Sequence, residues 1–412
     1  MNILYKIKKK KATLETISDL KRGDEIIDLN IPDKILDTVY VKRVSSVEDY
    51  LMRDDVKFNI TKLPKKLKRI FEGPYVVDEK FKVLSGNYKF GIINGVLLTI
   101  EKESSPVEEE KEVCVIPEGV KLIIDKAFDI NRKVTVRPNT IILPSTIKVI
   151  GTNWFYHTLA RKIIIPDSVK TIEFNAFSYN TRLEEIVLPK KMNSIGRSAF
   201  SKCINLKSIK IPNGIKEIPL FLFLECERLE EVILPEGLEV IKKNAFWGCK
   251  ELRKLDIPNS VTQIGSSAFY STTMIKEIKL PEKITTISNG LFWRSGIRKI
   301  TIHKNIKRIE GSAFHKCFDL ESIEFEEGCE EIASCVFSGC RSLKIIKLPK
   351  SIKKIERNAF CEISNLEIIY IPKTIACIAT MFNDYFYNCP NLEKIYLTED
   401  ESLYWEKNKN SQ

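Results

Sequence analysis

The stretch that decides the fold is "LKSIKIPNGIKEIPLFLFLECERLEEVILPEGLEVIKKNAFWGCKELRKLDIPNSV", residues 206–261. It repeats one phrase three times, beginning at Leu206, Leu229 and Leu252. Each phrase begins with leucine and any two residues. An aliphatic residue, any one residue, a second aliphatic residue and proline follow in that order. The first two phrases then close on phenylalanine, with cysteine three positions later. A chain that rewrites one short phrase in this way is typical of repeat proteins.

The same phrase extends far beyond this stretch. Its closing phenylalanine recurs with inner intervals of 22 or 23 residues and outer intervals of 27 and 26 residues, at Phe128, Phe155, Phe177, Phe200, Phe223, Phe246, Phe269, Phe292, Phe314, Phe337, Phe360 and Phe386. Proline keeps the same period, except that His303 and Glu326 stand where proline is expected. A fixed period in this range predicts a solenoid of about twelve stacked coils.

Each coil has a predictable internal structure. Ile209 and Ile211 alternate with Lys210, which indicates a short strand with one buried face. Pro212 cannot donate a ladder hydrogen bond and ends that strand. The segment from alanine and phenylalanine to the next leucine spaces its apolar groups by three or four residues, as one helical turn would. We therefore expect a mainly β solenoid with short helical or 3-10 turns.

This pattern resembles the BspA-like type of leucine-rich repeat. "LRKLDIPNSVTQIGSSAFYST" (252–272) and "LEEIVLPKKMNSIGRSAFSKC" (183–203) carry the resemblance, and "FGIINGVLLTI" (90–100) is similar to the segment that opens such arrays. The resemblance covers roughly residues 88–400 and implies a right-handed superhelix. It implies function only as a class, because the family includes adhesins, surface antigens and proteins of unknown role.

The domain organisation follows from where the repeat begins and ends. We expect residues 1–85 to form a small mixed α/β domain or degenerate coils that cap the array, and residues 86–112 to form the opening segment with an acidic loop. Residues 113–397 form the predicted solenoid. Residues 398–412 turn polar, as a terminal cap should.

Composition limits the function classes. The 412-residue chain carries 66 basic and 55 acidic residues, a formal net charge of +11, without the concentrated basic patch that nucleic-acid binding usually needs. The run Lys6–Lys11 is interpreted as a solvated tail, or as a site for an anionic polymer or membrane surface. The start of the chain does not match a signal peptide, and no apolar run is long enough for a transmembrane segment. A cytoplasmic location is therefore expected, with the cell surface or secretion as the family-based alternative.

No pattern of residues predicts catalysis, a metal site or a cofactor. The eleven cysteines are interpreted as structural thiols, because six of them share the slot three residues after the repeat phenylalanine. Other coils fill that slot with Asn180, Thr272 or Ser295, which indicates that a small group is needed there. Phosphate-loop, dinucleotide, zinc-protease and nucleophile-elbow motifs are absent from the sequence.

The candidate binding residues point outward from the predicted strands, one per coil. The predicted contact positions are Lys210, Asp256, Lys279, Glu324, Lys347, Tyr370 and Tyr396. Their charges alternate in sign, which suits either ion pairs between coils or a polar contact surface, and the two tyrosines are candidate anchors. Four of the outward residues are aliphatic, and we call them the aliphatic rungs: Val115, Ile142, Ile164 and Val187. We expect them to form a patch that either residues 1–85 cover or a partner binds.

The functional expectation is a non-catalytic scaffold that presents an extended solenoid face to a protein partner of unknown identity. A cell-surface adhesin that binds host or extracellular-matrix proteins is the alternative, and binding of an anionic surface through Lys6–Lys11 is the third. Nucleic acid is not an expected partner. The sequence leaves the oligomeric state open, and a monomer is the working expectation.

Overall fold

The computed structural model describes residues 4–8, 11–16, 26–30, 38–40, 57–62, 69–70, 75–76, 79–102, 112–125, 127–128, 137–376 and 382–407. Before residue 79 it describes only the backbone of the strands. The chain divides into two compact units, which we call the N-terminal unit (Met1–Pro189) and the C-terminal unit (Lys190–Gln412). The side chains of Lys6–Lys11 lie outside the described residues.

The first strands of the N-terminal unit form two sheets. They are β1 (Leu4–Lys8), β2 (Lys11–Thr16), β3 (Ile26–Asn30), β4 (Thr38–Tyr40), β5 (Lys57–Lys62), β6 (Arg69–Ile70) and β7 (Tyr75–Val76). β1 and β2 pair antiparallel, whereas β2, β4 and β6 pair in parallel in one sheet and β3, β5 and β7 in another. Two parallel ladders that alternate along the chain are also the arrangement of the repeats that follow.

The rest of the N-terminal unit begins with a 3-10 helix, Glu79–Phe81, and a small sheet. Its strands are β8 (Lys82–Ser85), β9 (Tyr88–Ile93), β10 (Val96–Lys102), β11 (Val113–Val115), β12 (Leu122–Ile123), β13 (Thr140–Ile142), β14 (Val149–Ile150), β15 (Lys162–Ile164), β16 (Thr171–Ile172) and β17 (Glu185–Val187). β8, β9 and β10 form an antiparallel meander, and β12 pairs in parallel with β10. The opening segment is thus paired with the first coil through β10 and β12.

Each coil carries two strands, and the strands stack as two ladders. The first strands form what we call the front ladder, which in the N-terminal unit pairs β11, β13, β15 and β17 in parallel and in register. The second strands form the back ladder, in which β14 pairs with β16. In-register stacking of equivalent residues is what a constant repeat length requires.

The C-terminal unit continues the same two-strand coil. Its strands are β18 (Ser194–Ile195), β19 (Ser208–Lys210), β20 (Glu217–Ile218), β21 (Glu231–Ile233), β22 (Val240–Ile241), β23 (Gln263–Ile264), β24 (Thr286–Ile287), β25 (Lys299–Ile302), β26 (Arg308–Ile309), β27 (Ser322–Phe325), β28 (Glu331–Ile332), β29 (Ile345–Lys347), β30 (Lys354–Ile355), β31 (Ile368–Ile371), β32 (Lys394–Leu397) and β33 (Leu403–Glu406). An α-helix, Phe382–Tyr385, lies in the last coil. β33 pairs antiparallel with β32 and ends the sheet.

The core is a column of phenylalanine rings in each unit. The ring centroids of neighbouring coils lie 5.4–5.5 Å apart in the N-terminal unit and 5.4–5.9 Å apart in the C-terminal unit, and the rings are stacked. All twelve predicted phenylalanines are buried. The aliphatic residues that the alternation placed inward, such as Ile209 and Ile211, are buried as well. The predicted solenoid of about twelve coils is therefore confirmed.

In the described coils, the segment between alanine and leucine forms short turns with 3-10-type hydrogen bonds, as the sequence predicted. It is a series of turns in which an amide bonds to the carbonyl three residues earlier, for example Cys203 N to Phe200 O at 3.2 Å and Leu206 N to Cys203 O at 3.1 Å. Residues such as Ser198 and Lys202 have φ angles of 56° and 60°. A right-handed helix cannot continue through a left-handed residue, so the turn ends after each one.

The slot shared by the cysteines has a second requirement beyond small size. The thiol of Cys249 donates to the carbonyl oxygen of Phe223 in the preceding coil at 3.2 Å, and Cys226, Cys317, Cys340 and Cys389 make the equivalent bond at 2.9–3.1 Å. The slot therefore favours a small side chain that can donate a hydrogen bond, which is a weak but specific link between successive coils.

Candidate protein-binding face

The front ladder presents its outward side chains as the sequence predicted. In β15, β17, β19 and β21 the central residue is buried and both neighbours are exposed. In the N-terminal unit the strand register aligns the four aliphatic rungs in one row. Val187 is 76% exposed, Ile164 42% and Val115 41%, and Ile142 is half-buried. Three of the four rungs are thus open to solvent.

The front ladder of the C-terminal unit is interrupted. β19 pairs with β21, and β25 pairs with β27, but residues 254–256 and 277–279 between these pairs form no strand. A second, narrower break separates β27 from β29, which belong to different sheets. Residues 254–256 and 277–279 are joined to the flanking coils only by single bridges, from Glu231 to Lys254 and from Glu277 to Lys299. The phenylalanine column behind them is unbroken, with Phe246 and Phe269 at 5.6 Å. The coils therefore stay stacked at the core while their front segments lose regular pairing.

A broad depression of about 960 Å³ lies over this interruption. Its floor and walls come from five consecutive coils of the C-terminal unit, from Glu231 to Glu326. The outward residues of these coils, in order, are Ile233, Asp256, Lys279, Thr301 and Glu324. Three of the predicted contact residues (Asp256, Lys279 and Glu324) therefore lie together in one concave surface, whereas Lys210, Lys347, Tyr370 and Tyr396 lie outside it.

The two coils in which proline is replaced also contribute to the depression. His303 is buried, and its Nε2 lies 3.0 Å from the carbonyl oxygen of Pro281. A carboxylate oxygen of Glu326 accepts the backbone N–H of Lys304 at 3.0 Å. The missing prolines were visible in the sequence, and they mark one end of this surface.

The last outward side chains of the front ladder contact one another. The rings of Tyr370 and Tyr396 stack with centroids 5.2 Å apart, and the ammonium of Lys347 lies 5.3 Å from the Tyr370 ring centroid. Lys347 Nζ also donates to Glu401 at 2.6 Å, and this hydrogen bond raises the pKa of Lys347. These three predicted contact residues therefore have partners within the chain, next to the antiparallel strand β33.

Sequence reasoning missed a second aromatic column, one residue after the repeat phenylalanine. It consists of Trp247, Tyr270, Trp293 and His315, whose ring centroids lie 4.8, 5.4 and 5.1 Å apart in succession. Trp293 Nε1 and His315 Nδ1 are buried without a hydrogen-bond partner. The sequence contains a signal for this column, because four consecutive coils have an aromatic residue at the position after the repeat phenylalanine. Their half-burial and mutual contacts fit a packing role.

Nine of the ten described cysteines are buried, and Cys335 is half-buried. None of these ten cysteines forms a disulfide, and burial raises the pKa of each one whose shift is resolved, to about 12 for Cys317 and Cys389. Within the described residues, no group of three or more histidine, cysteine, aspartate or glutamate side chains is arranged to hold a metal ion.

The family of the chain follows from comparison of its sequence. The profile described as BspA type leucine-rich repeat region matches residues 109–223, 193–320 and 307–404, with six copies. These segments span more than two thirds of the chain. The protein belongs to the BspA-type leucine-rich repeat family, as the motifs indicated.

Solved structures with the same repeat are similar over most of the chain. A leucine-rich repeat protein from Bacteroides ovatus is 23% identical, with 78% of this chain and 98% of that chain covered and a TM-score of 0.53, which supports the fold. A leucine-rich cell surface protein from Faecalibacterium prausnitzii is 25% identical over 78% and 96% of the two chains, with a TM-score of 0.49. The pneumococcal vaccine antigen PcpA is 21% identical over 77% and 87%, with a TM-score of 0.46.

Two further findings complete the comparison. No curated protein is significantly similar to the chain. Among the residues that the structure describes, no helix combines the length and apolar content needed to cross a membrane.

Proposed function

We propose that the chain is a non-catalytic protein-binding scaffold and that the depression on the front ladder of its C-terminal unit is the binding face. The observation that carries this proposal is the concavity itself, which five consecutive coils build where the front ladder is interrupted. Solenoids use extended concave surfaces of this kind to bind partners. The exposed Asp256 and Lys279 supply polar contacts that set orientation and specificity.

The interruption supports the choice of this face over the rest of the ladder. Regular strand pairing fixes both the spacing and the direction of outward side chains. Residues 254–256 and 277–279 are bound to their neighbours by single bridges only. Their backbone and side chains can therefore adjust to a partner at a smaller cost than those of the paired strands, while the phenylalanine column holds the coils in place.

A pair of matched charge reversals tests the proposal. Lys279→Glu changes a residue inside the depression, and Lys210→Glu changes the equivalent exposed rung outside it. Affinity capture from the native cell should recover a partner equally with the unchanged chain and with Lys210→Glu, and should recover a clearly different amount of it with Lys279→Glu, because this reversal changes the charge of the binding face. Equal recovery with both variants would show that the partner binds elsewhere.

A cell-surface adhesin is the second candidate function. The family membership favours it, because the BspA-type repeat is also found in surface antigens. This function requires the chain to be exposed outside the cell that makes it. Protease treatment of intact cells should then degrade the chain, whereas a chain that is cut only after lysis would contradict an adhesin role.

A further inference from the structure

The depression carries an excess of negative charge in a basic chain. Seven carboxylates and four lysine or arginine side chains line it, a net charge of −3, whereas the whole chain has a formal charge of +11. Asp256 is neutralised by Lys254 at 3.1 Å, and Arg253 pairs with Glu251 at 2.9 Å. Among the described residues that line the depression, the remaining six carboxylates face two cations without an ion-pair partner, Lys279 and Lys299.

Those six carboxylates have no lysine or arginine side-chain partner in the part of the chain that the structure describes. The side chains of Glu231, Glu236 and Glu277 make no hydrogen bond or ion pair within the described chain. The other three accept hydrogen bonds from neutral donors: Glu282 from Asn305 at 3.4 Å, Glu324 from Thr301 at 3.5 Å and Glu326 from the Lys304 amide at 3.0 Å. Like charges gathered in a concave surface favour an occupant of the opposite charge.

His303 adds an independent sign that a cationic donor belongs here. The ring is 5% exposed, and its Nε2 lies 3.0 Å from the Pro281 carbonyl oxygen. A carbonyl oxygen only accepts, so Nε2 carries the proton and Nδ1 of the neutral ring holds a lone pair. Nδ1 has no hydrogen-bond partner, and its charged neighbour is the Glu282 carboxylate at 3.8 Å. Nδ1 is itself buried, so the exposed Glu282 carboxylate beside it is the acceptor that an occupant of the depression can reach.

We propose that the depression binds an extended, lysine- or arginine-rich segment of a partner protein, with one cationic side chain donating to the exposed Glu282 carboxylate beside His303 Nδ1. This inference rests on the proposed function, since it names the kind of partner that the same face takes. Five coils at ~4.8 Å spacing and ~3.3 Å per extended residue leave room for about six residues of the segment.

The charge of the depression also argues against a nucleic acid as its occupant. Phosphates would lie against six unneutralised carboxylates, and their repulsion would oppose binding. A basic peptide has no such conflict.

Peptide binding to the full chain tests the inference. The probe is a fluorescein-labelled decapeptide in which lysine and serine alternate, and the control probe carries acetyl-lysine at each lysine. We expect the lysine peptide to bind with an affinity that falls as salt is added, and the acetylated peptide not to bind, because acetylation removes the charge.

Two variants of equal net charge separate a local site from general attraction. Glu282→Gln should weaken binding of the lysine peptide by about tenfold or more, the factor that corresponds to one charged hydrogen bond. Glu367→Gln removes a carboxylate of the same unit outside the depression, paired with Lys344 at 3.8 Å, and should leave binding within about twofold. Equal weakening by the two variants would overturn the inference.

The ring of His303 gives a readout that does not depend on affinity. In the free chain at pH 7.5, its ¹⁵N shifts should show a protonated Nε2 and an unprotonated Nδ1. The Nδ1 shift should change when the lysine peptide binds. A doubly protonated ring in the free chain would mean that Glu282 already satisfies Nδ1, and would overturn the assignment.

The outcomes distinguish this inference from the proposed function. If Lys279→Glu changes partner capture but the lysine peptide neither binds nor competes with the partner, the basic-segment inference is wrong and the scaffold proposal stands. If the lysine peptide binds at the Glu282 site while Lys279→Glu and Lys210→Glu capture the partner equally, the peptide site stands and the proposed binding face for that partner is wrong.

Discussion

The front ladders of the two units differ although their cores are the same. In the N-terminal unit the strands β11, β13, β15 and β17 pair in register and present aliphatic side chains to solvent. In the C-terminal unit the ladder is interrupted at residues 254–256 and 277–279, and its outward residues there are charged. Ring spacings in the phenylalanine columns nevertheless agree within half an ångström. The core fixes the stacking of the coils, and the front ladder is the layer that varies.

The largest expected effect tests whether the core is equivalent in the two units. Phe155→Ala in the N-terminal unit and Phe246→Ala in the C-terminal unit should each lower the free energy of unfolding by about 3–5 kcal/mol, because each removes a fully buried ring from a stacked column. Chemical denaturation of the full chain, followed in segments by hydrogen exchange, measures both losses. A loss below about 1 kcal/mol in either unit would contradict an equivalent core.

A glycine next to the interrupted region tests how closely its coils approach. A Cβ added to Gly296 would lie 1.8 Å from the carbonyl oxygen of Thr273, so Gly296→Ala must move one coil against the next. We expect a loss of about 1–3 kcal/mol in the free energy of unfolding.

Gly311→Ala is the matched control for that change. There the nearest atom is the flexible amide nitrogen of Asn289 at 3.2 Å. Its effect on the free energy of unfolding should stay within about 1 kcal/mol. Equal effects of the two substitutions would mean that the coils near the depression are not tightly stacked.

The N-terminal unit has a buried polar network to which the described C-terminal coils have no counterpart. Glu112 is 2% exposed, and its carboxylate accepts hydrogen bonds from Tyr88 Oη at 2.5 Å and Lys102 Nζ at 3.0 Å. Burial, and then this bond, raise the pKa of Tyr88. Tyr88→Phe leaves the buried carboxylate one donor short and should cost about 1–3 kcal/mol.

The exposed Tyr387 provides the control for this prediction. Tyr387→Phe removes a hydroxyl that is open to solvent and should change the free energy of unfolding by less than about 0.5 kcal/mol. Thermal unfolding of both variants compares them directly. If Tyr88→Phe is as mild as Tyr387→Phe, the network does not stabilise the opening segment.

The smallest expected effect concerns pH and the aromatic column of the C-terminal unit. Burial, and next the charge of Lys316, lower the pKa of His315 below its ordinary value of 6.5, with Arg294 acting in the same direction and Glu362 against it. The folded chain therefore disfavours the charged ring. The neutral ring of His315 therefore contributes to stability in full above pH 6.5. That contribution is lost as the pH falls towards the lower pKa of the folded state.

His315→Gln isolates that contribution. We compare the free energy of unfolding of the unchanged chain with that of His315→Gln. The value for the unchanged chain minus the value for the variant should decrease when the pH is lowered from 7.5 to 5. Chemical denaturation at the two pH values measures it. A difference that does not change with pH would contradict the shift.

The sequence predicted the layers that repeat and missed the places where the repeat is broken. The 22–23-residue period defined the buried phenylalanines, and the alternation around Lys210 defined the inward and outward faces, because both depend on local spacing. The interruption at residues 254–279 depends on how neighbouring backbones are oriented, which no single coil encodes. His303 and Glu326, where proline was expected, were the visible signal beside it.

Other features depend on contacts between coils and could not be predicted from one repeat. The stacking of Tyr370 on Tyr396 and the bond from Lys347 to Glu401 arise because β33 folds back on β32. The cysteine slot was predicted to need a small group, but the donor bond to the preceding phenylalanine carbonyl appears only when coils are stacked. The roles of the seven outward contact residues stay predictions.

Site-specific photo-cross-linking tests most directly whether the interrupted front ladder is the working face. A benzophenone amino acid replaces Lys279 in the depression, Lys210 on the same ladder outside it, or Ile164 on the paired ladder of the N-terminal unit, and the full chain is irradiated in its native cell. The account predicts a covalent adduct with one specific protein at position 279 and none at 210 or 164. An adduct at position 164 with none at 279 would contradict it.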